Sequence, residues 1–482
     1  MYLGIDIGTS VTKAAAFDDD GRLVAVKGTP TRMSTPAEGF YEQDIDEVVA
    51  SVAEVAAATA TAAGGIPTAI GLTGQGDGVW LVDADGQAVR PAISWMDGRA
   101  ASILTDWLAD GTVAKAFRRT GNTMFPGSAG PILAWLDQHE PESLDRAATA
   151  GYCKDVVMQR LTGVRATDTS DASLPFLDPA TRRYDPEVLE WCGIGHRASL
   201  LAPVAEPLPV GKLTDAAAAR LGLPSGITVT SGPFDLPACA LGSGIVTPGD
   251  GHLIIGTTLA CQVLVDHVDT DVEPNGLTLA TGTPNRWLRA MPAMVGTAAV
   301  DWVLKLIGRD HQALETLLAD SPLGARGVTC LPFFSPAGER APFLEPAARA
   351  GFDRVTIQTE PSDLVRATCE AVAFAARHCF EAAGLTGELA MCGGGTASPT
   401  WLKIFADVLN RPLKLAPQPE TGARGAALAA RRIAEPAASL SEWTTPEGVV
   451  EPDPIRAAEY EHRYAAYRAR VDAARLTWKE AA

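Results

Sequence analysis

Over its first thirty residues the chain alternates short apolar runs with polar turns. "YLGIDIG", "VTKAAAFD" and "RLVAVKGTP" read as strands, with "DDDG" turning the chain before the third. From about Asp44 to Ala63 the pattern changes to an Ala-rich helix, and "TAIGLTGQGDGVWLVDADG" after it reads as strand, loop, strand, turn. A head of meandering strands followed by helix–strand alternation predicts a mixed sheet flanked by helices.

The pattern returns near residue 249, where "PGDGHLIIGTTLACQVLVD" again reads as strand, Gly-Thr loop, strand. "GIDIGTS" and "LIIGTTL" both set Gly-Thr directly after a buried-type strand, an internal repeat at domain scale. The division expected is residues 1–241 and 242–482, with the Gly-rich stretch "ALGSGIVTPGDG" at 240–251 as hinge. In the second half "SDLVRATCEAVAFAARHCFEAAG" is an amphipathic helix, with Ser362 or Asp363 near its start and Gly384 at its end. "ELAMCGGGTASPTWLKIFADVLNRPLKL" reads as strand, Gly-rich turn, helix, strand, and "GARGAALAARRIA" as a small-residue helix able to pack closely. The charged, Tyr-dotted tail from Pro454 is expected to be a peripheral helix.

Composition narrows the function. Forty basic against 58 acidic residues give a net charge of −18 without a basic stripe, which disfavours nucleic acid. No apolar run reaches the ~18–20 residues of a membrane span, and "MYLGIDIGTS" lacks the features of a leader, so a cytoplasmic chain is expected. The eight cysteines are scattered singly, without CxxC pairs or clustered histidines, and read as buried free thiols rather than metal ligands.

The candidate chemistry begins with phosphate. Gly then Thr or Ser after a strand exposes backbone N–H groups and a hydroxyl, at Gly8-Thr9-Ser10 and at Gly256-Thr257-Thr258. Asp6, two residues before Gly8, shares its face of the strand and suits a Mg²⁺ ion between carboxylate and phosphate. "CGGGTASP" at 392–399 allows close approach of a flat ligand or phosphate. Neither a GxGxxG junction nor a GxxxxGK[ST] loop is present, so any nucleotide site uses another architecture. Asp235, in "TSGPFDLPACALGSG", sits where a rigid turn can hold one carboxylate, as a proton acceptor or as a helix cap. On the acceptor side, Gln75, Gly76 and Asp77 lie in a Gly-rich loop, and "ISWMDGRA" offers Trp95 for stacking with Asp97 and Arg99 beside it. The plainer alternative for that segment is a tight turn with a core Trp and a surface ion pair.

Together these segments resemble the FGGY carbohydrate kinases, in order and over nearly the whole chain. "DIGTS" resembles the first phosphate loop, "GPFDLPACALGSG" the catalytic-Asp segment, "GTT" the second phosphate loop, "GGGTASPTW" the adenosine loop and "ARGAALAA" the C-terminal helix. The resemblance implies an α/β fold of two ribonuclease-H-like domains, of the sugar kinase/Hsp70/actin kind, with a cleft between them. It implies ATP and Mg²⁺ as cofactors and a small sugar or polyol as partner, with a homodimer admitted as the assembly. Residue by residue, it makes Asp235 the base, turns Asp6 toward Mg²⁺, and sets Gly8, Thr9, Ser10, Lys13, Gly256, Thr257, Gly296, Gly394 and Gly395 on ATP. Typical xylulokinases carry Met-His where Gly76-Asp77 stands, and "GQGDGVWLVD" is closer to erythritol kinases and the L-xylulose kinase branch. Asp77 favours a neutral, hydroxyl-rich acceptor, a short polyol or a pentulose, with D-xylulose open. The rival readings are an actin- or Hsp70-like ATPase and a catalytically silent, ligand-binding homologue.

Overall fold

The computed structural model describes residues 1–417 and 420–481. The chain forms two compact units, one of Met1–Gly244, Asp266–Leu288 and Pro419–Thr445, the other of Ile245–Val265, Arg289–Gln418 and Pro446–Ala482.

The main strands of the first unit are β1 (Tyr2–Ile7), β2 (Val11–Phe17), β3 (Leu23–Pro30), β4 (Ala69–Gly74), β5 (Val210–Lys212) and β6 (Thr228–Ser231). They form one sheet in the order β5-β6-β4-β1-β2-β3. β1 pairs antiparallel with β2 and parallel with β4, so Asp6 lies opposite Lys13 on one side and Thr73 on the other. Helix Ile45–Ala63 begins where the pattern places it, because the Asp44 carboxylate accepts the Glu47 N–H, and it ends at Gly64 in the left-handed region (φ 69°). Its apolar stripe, with Val48, Val52 and Val55, packs on Leu3, Ile5 and Ile70 of the sheet.

The other sheet face carries helix Thr421–Ala434. Small residues are needed there: a Cβ on Gly4 would stand 1.8 Å from Ala423 O, and one on Gly71 1.9 Å from Ala426 O. Contacts under 3 Å cannot be made, so helix and sheet approach only through glycine. Helix Asp235–Gly242 meets the same helix through Gly425, whose Cβ would fall 1.9 Å from Ala238 O. The stretch expected as a hinge therefore begins as helix, and the main chain first leaves this unit after Gly244.

The second unit repeats the plan with six consecutive strands of a seven-stranded sheet, β7 (Gly251–Ile255), β8 (Leu259–Val265), β9 (Trp287–Ala293), β10 (Leu389–Cys392), β11 (Leu413–Leu415) and β12 (Gly448–Val450), in the order β9-β8-β7-β10-β11-β12. β7 is antiparallel to β8 and parallel to β10, just as β1 stands to β2 and β4. The two Gly-Thr turns thus occupy equivalent hairpins, each in its own sheet. Helix Pro361–Ala383 starts with a capping box between Glu360 and Asp363 and ends at Gly384 (φ 83°).

One expectation is corrected here. The tail helix Pro454–Ala481 is not peripheral: Tyr460, Tyr464, Tyr467 and Val471 are buried in the core of the second unit. Their spacing puts all four on one helical face. Tyr460 donates its hydroxyl to Glu370 Oε1 at 2.9 Å.

Candidate active site

In the first unit two other acidic groups, Asp6 and Asp77, act on Asp235. Asp235 is the first residue of its helix, with Phe234 in the capping position, so it is not the helix cap. Its carboxyl is pushed up to about 7 by burial, with Asp6 and Asp77 adding and the Leu236 N–H opposing. Asp6 is raised to about 6, again mainly by burial, with Glu420 adding and Lys13 opposing. Gly422 separates Asp6 from that helix. Its Cβ would lie 2.5 Å from Asp6 Oδ2 and 3.4 Å from Cys239 Sγ, one helical turn beyond Asp235.

The loop carrying Gln75 and Asp77 adjoins the same place. A Cβ on Gly76 would be 2.7 Å from the ring of Phe234, the neighbour of Asp235. Asp77 is buried and holds φ at 58°, which a short polar side chain tolerates better than most. Gly78 N–H donates to Gly127 O at 3.0 Å, and Gly127 presses on the Trp95 carbonyl so closely that a Cβ would stand 1.7 Å from it.

The first Gly-Thr turn is tied to both acceptor-side segments. Trp95 Nε1 donates to Thr9 Oγ1 at 2.8 Å, and Thr9 Oγ1 donates to Gln75 Oε1 at 3.1 Å. Gln75 Nε2 donates to Gln43 Oε1 at 2.7 Å, and Gln43 Nε2 donates to Thr9 O at 3.2 Å. A two-residue ladder, Gln43 opposite Ala92 and Glu42 opposite Ile93, brings these distant segments together. Gly8 N–H closes the turn on Val11 O at 3.1 Å, Ser10 is exposed, and Lys13 Nζ pairs with Glu420 Oε1 at 3.2 Å.

Asp97 and Arg99 are joined to each other. Asp97 Oδ1 accepts Arg99 Nε at 2.8 Å, its Oδ2 accepts Tyr41 N–H at 2.7 Å, and Arg99 Nη2 reaches Glu42 Oε1 at 2.8 Å. The guanidinium also lies 4.3 Å over the Phe40 ring and 5.1 Å over Trp135. The ion pair read as a surface feature is buried. It braces the turn that presents Trp95.

In the second unit the glycines gather at the end of β7. Gly296 and Thr297 N–H groups donate to Thr257 O and Gly256 O, both at 2.8 Å. Gly296, Gly393 and Gly395 have no room for a side chain: their Cβ atoms would come within 2.6 Å of Thr258 O, Ile255 O and Ile255 Cγ2 respectively. Gly394 faces open space. The Gly393–Ala397 loop joins β10 to helix Pro399–Leu409, as the sequence predicts.

Among the described residues no set of three or more His, Cys, Asp and Glu side chains is placed to hold a metal ion. Mg²⁺ needs less, since it keeps several waters and takes one or two carboxylates together with substrate phosphates. Asp6, partly accessible and raised by burial beside Glu420, fits that demand. Likewise, no helix among the described residues is long and apolar enough to cross a membrane.

Residues missed by sequence reasoning include Gln43, Phe234, Gly422 and Lys154. Lys154 is fully buried, with its Nζ 2.7 Å from Asp155, 2.8 Å from Asp168 and 2.9 Å from Asp171. The short helix Thr169–Ala172, capped by Asp168, holds the Asp235 segment, because Ser170 Oγ accepts Phe234 N–H at 3.1 Å. No local signal marks these residues: beside the helix cap Asp44, Gln43 reads as an exposed polar residue.

Residues 1–242 match the N-terminal domain, and 251–434 the C-terminal domain, of the FGGY family of carbohydrate kinases. The chain is 34% identical to an erythritol kinase of Brucella abortus over 498 residues, covering 97% of this chain and 95% of that protein. It is 30% identical to a xylulose kinase of Escherichia coli, covering 100% and 99%. The crystal structure of xylulose kinase from Rhodospirillum rubrum superposes with a TM-score of 0.90 at 29% identity, covering 99% of each chain. Both units have the ribonuclease-H-like sheet order.

Proposed function

Since the chain belongs to the FGGY family of carbohydrate kinases, we propose that it transfers the γ-phosphoryl group of ATP to a hydroxyl of a small neutral polyol or ketose, with Asp235 taking the hydroxyl proton. The observation that carries this reading is the packing of Gly76 on Phe234, which sets the hydroxyl-binding loop of Gln75 and Asp77 beside Asp235. Phosphoryl transfer asks the protein mainly for alignment, charge neutralisation and a proton acceptor. A carboxyl raised to about 7 suits that last role, because a base works best when its pKa lies near the operating pH.

Residues 1–241 are assigned the acceptor and the first phosphate turn, Gly8 to Ser10 with Lys13 nearby. Residues 242–482 are assigned the rest of ATP, through Gly256, Thr257, Gly296, Gly394 and Gly395. Asp6 would hold Mg²⁺, which when bound neutralises phosphate charge. Gln75, Asp77 and Trp95 bind the acceptor, while Asp97 and Arg99 act by bracing Trp95. The carboxylate of Asp77 repels acid sugars and favours neutral ones. With the erythritol kinase relative, this puts a four-carbon polyol first and the pentuloses second.

The test is ADP release with erythritol, threitol, and D- and L-pentuloses. ADP formation that depends on one of them is expected, and Asp235→Ala is expected to cut it roughly 10²–10⁴-fold while ATP still binds. ADP formation indifferent to every acceptor, or unaffected by Asp235→Ala, overturns the reading.

A further inference from the structure

Thr9 Oγ1 has one proton, and the structure commits it. The hydroxyl donates to Gln75 Oε1 at 3.1 Å while accepting from Trp95 Nε1 at 2.8 Å. A phosphate oxygen is an acceptor only, so it can use this hydroxyl only by taking the proton from Gln75. Gln75 is buried, and its Oε1 would then be left without a donor, at a cost of about 1–3 kcal/mol.

Gln75 cannot avoid this by turning its amide over. Its Nε2 donates to Gln43 Oε1 at 2.7 Å, and the Gln43 amide is oriented by two main-chain carbonyls that its Nε2 faces, Thr9 O at 3.2 Å and Arg32 O at 3.5 Å. Gln43 is itself only 1% exposed, so water does not compete for those bonds. Carbonyl oxygens never donate, so the direction of the whole circuit is set at Gln43.

We propose that Gln43 is a positioning residue that makes nucleotide and acceptor binding cooperative, by locking Gln75 in the orientation that withholds the Thr9 proton until an acceptor hydroxyl donates to Gln75. The inference rests on the kinase reading above. A polyol or sugar hydroxyl reaching Gln75 Oε1 replaces Thr9 as donor. The Thr9 hydroxyl then turns to a phosphate oxygen with no buried group left unpaired. The Trp95 N–H stays on Thr9 Oγ1 throughout and keeps that oxygen in place.

The experiment measures the dissociation constant of a non-hydrolysable ATP analogue by calorimetry, with and without saturating erythritol, or D-xylulose if that is the acceptor turned over. For the wild type, the acceptor is expected to tighten the analogue roughly 5–150-fold, the equivalent of the unpaired-acceptor cost. Gln43→Met keeps the volume but frees Gln75 to turn, so the analogue should bind more tightly without acceptor and the coupling should fall below about twofold. Gln43→Glu, neutral in this buried place, donates its O–H toward Thr9 O and accepts Gln75 Nε2 through its carbonyl oxygen; it still holds Gln75 in its present orientation and should keep the coupling. A purely structural role does not produce this split between Met and Glu. If Gln43→Met does not fold, Thr9→Val, which lacks the proton, must abolish the coupling instead. Wild-type binding without coupling, or coupling that survives in Gln43→Met or Thr9→Val, overturns the inference. A wild type that phosphorylates no acceptor defeats the kinase reading itself, whereas a working kinase with coupling intact in the variants defeats only the role of Gln43.

Discussion

Gly422 and Asp6 stand so close that a methyl group on the glycine would lie 2.5 Å from Oδ2 of the carboxylate. The helix Thr421–Ala434 therefore sets the position of the first acidic group as well as covering the sheet. Gly422→Ala is expected to displace the Asp6 side chain and to raise the Mg²⁺ concentration needed for half-maximal activity. By contrast, Gly425→Ala meets the backbone at Ala238 O and is expected to cost roughly 1–3 kcal/mol of stability, the usual penalty of overpacking. Urea unfolding of the two variants, alongside Mg²⁺ titrations of activity, checks the distinction.

The carboxyl of Asp235 carries a pH signature. In the proposed role of base, Asp235 is blocked by its own proton below about 7, so kcat is expected to rise with pH through that value and level off above it. The effect on stability has the opposite sense. The folded value lies above the unfolded 3.8, so the folded state retains a proton between about 4 and 7, and stability falls as pH rises through that window. Asp235→Asn should therefore raise Tm by about 2–4 °C at pH 8, with the gain disappearing at pH 4. Calorimetric scans at the two pH values measure it.

Lys154 is one cation among three buried carboxylates, which hold it charged against the cost of its burial. Asp155 and Asp171 are already raised by burial, and removing the cation strands both. Lys154→Met is expected to destabilise the protein by roughly 3–5 kcal/mol. The loss should be smaller at pH 5 than at pH 8, since protonation relieves unpaired carboxylates. Denaturant midpoints at both pH values test this.

The glycines of the second unit separate packing from binding. Gly296→Ala and Gly395→Ala collide with Thr258 O and Ile255, and a fall of several degrees in Tm is expected for each. Gly394→Ala meets nothing within 4 Å and should leave Tm unchanged. If the loop approaches ATP through its main chain, Gly394→Ala raises KM for ATP about tenfold, a cost of about 1.4 kcal/mol. Melting curves and ATP kinetics on the three variants distinguish the two roles.

Local patterns carried much of this protein. Strand–turn–strand spacing around Gly8-Thr9 and Gly256-Thr257 announced the repeated sheet, and Asp44 and Gly384 marked helix ends, because period, caps and turns are properties of neighbours in the chain. The segment of Asp235 was legible for the same reason. What only the tertiary structure decided is which side chains share a hydrogen bond. Gln43 joins Thr9 and Gln75 because a two-residue ladder to Ala92 folds residues 92–95 over the first turn. Asp97 and Arg99 became a buried brace, and the tail tyrosines became core, because burial depends on what packs from elsewhere in the chain. The raised carboxyl groups of Asp6 and Asp235 likewise depend on burial and on charges brought close by strand register and helix packing. A sequence states its local geometry in its own neighbours, whereas pairing, burial and electrostatic fields are sums over residues that only folding brings within reach.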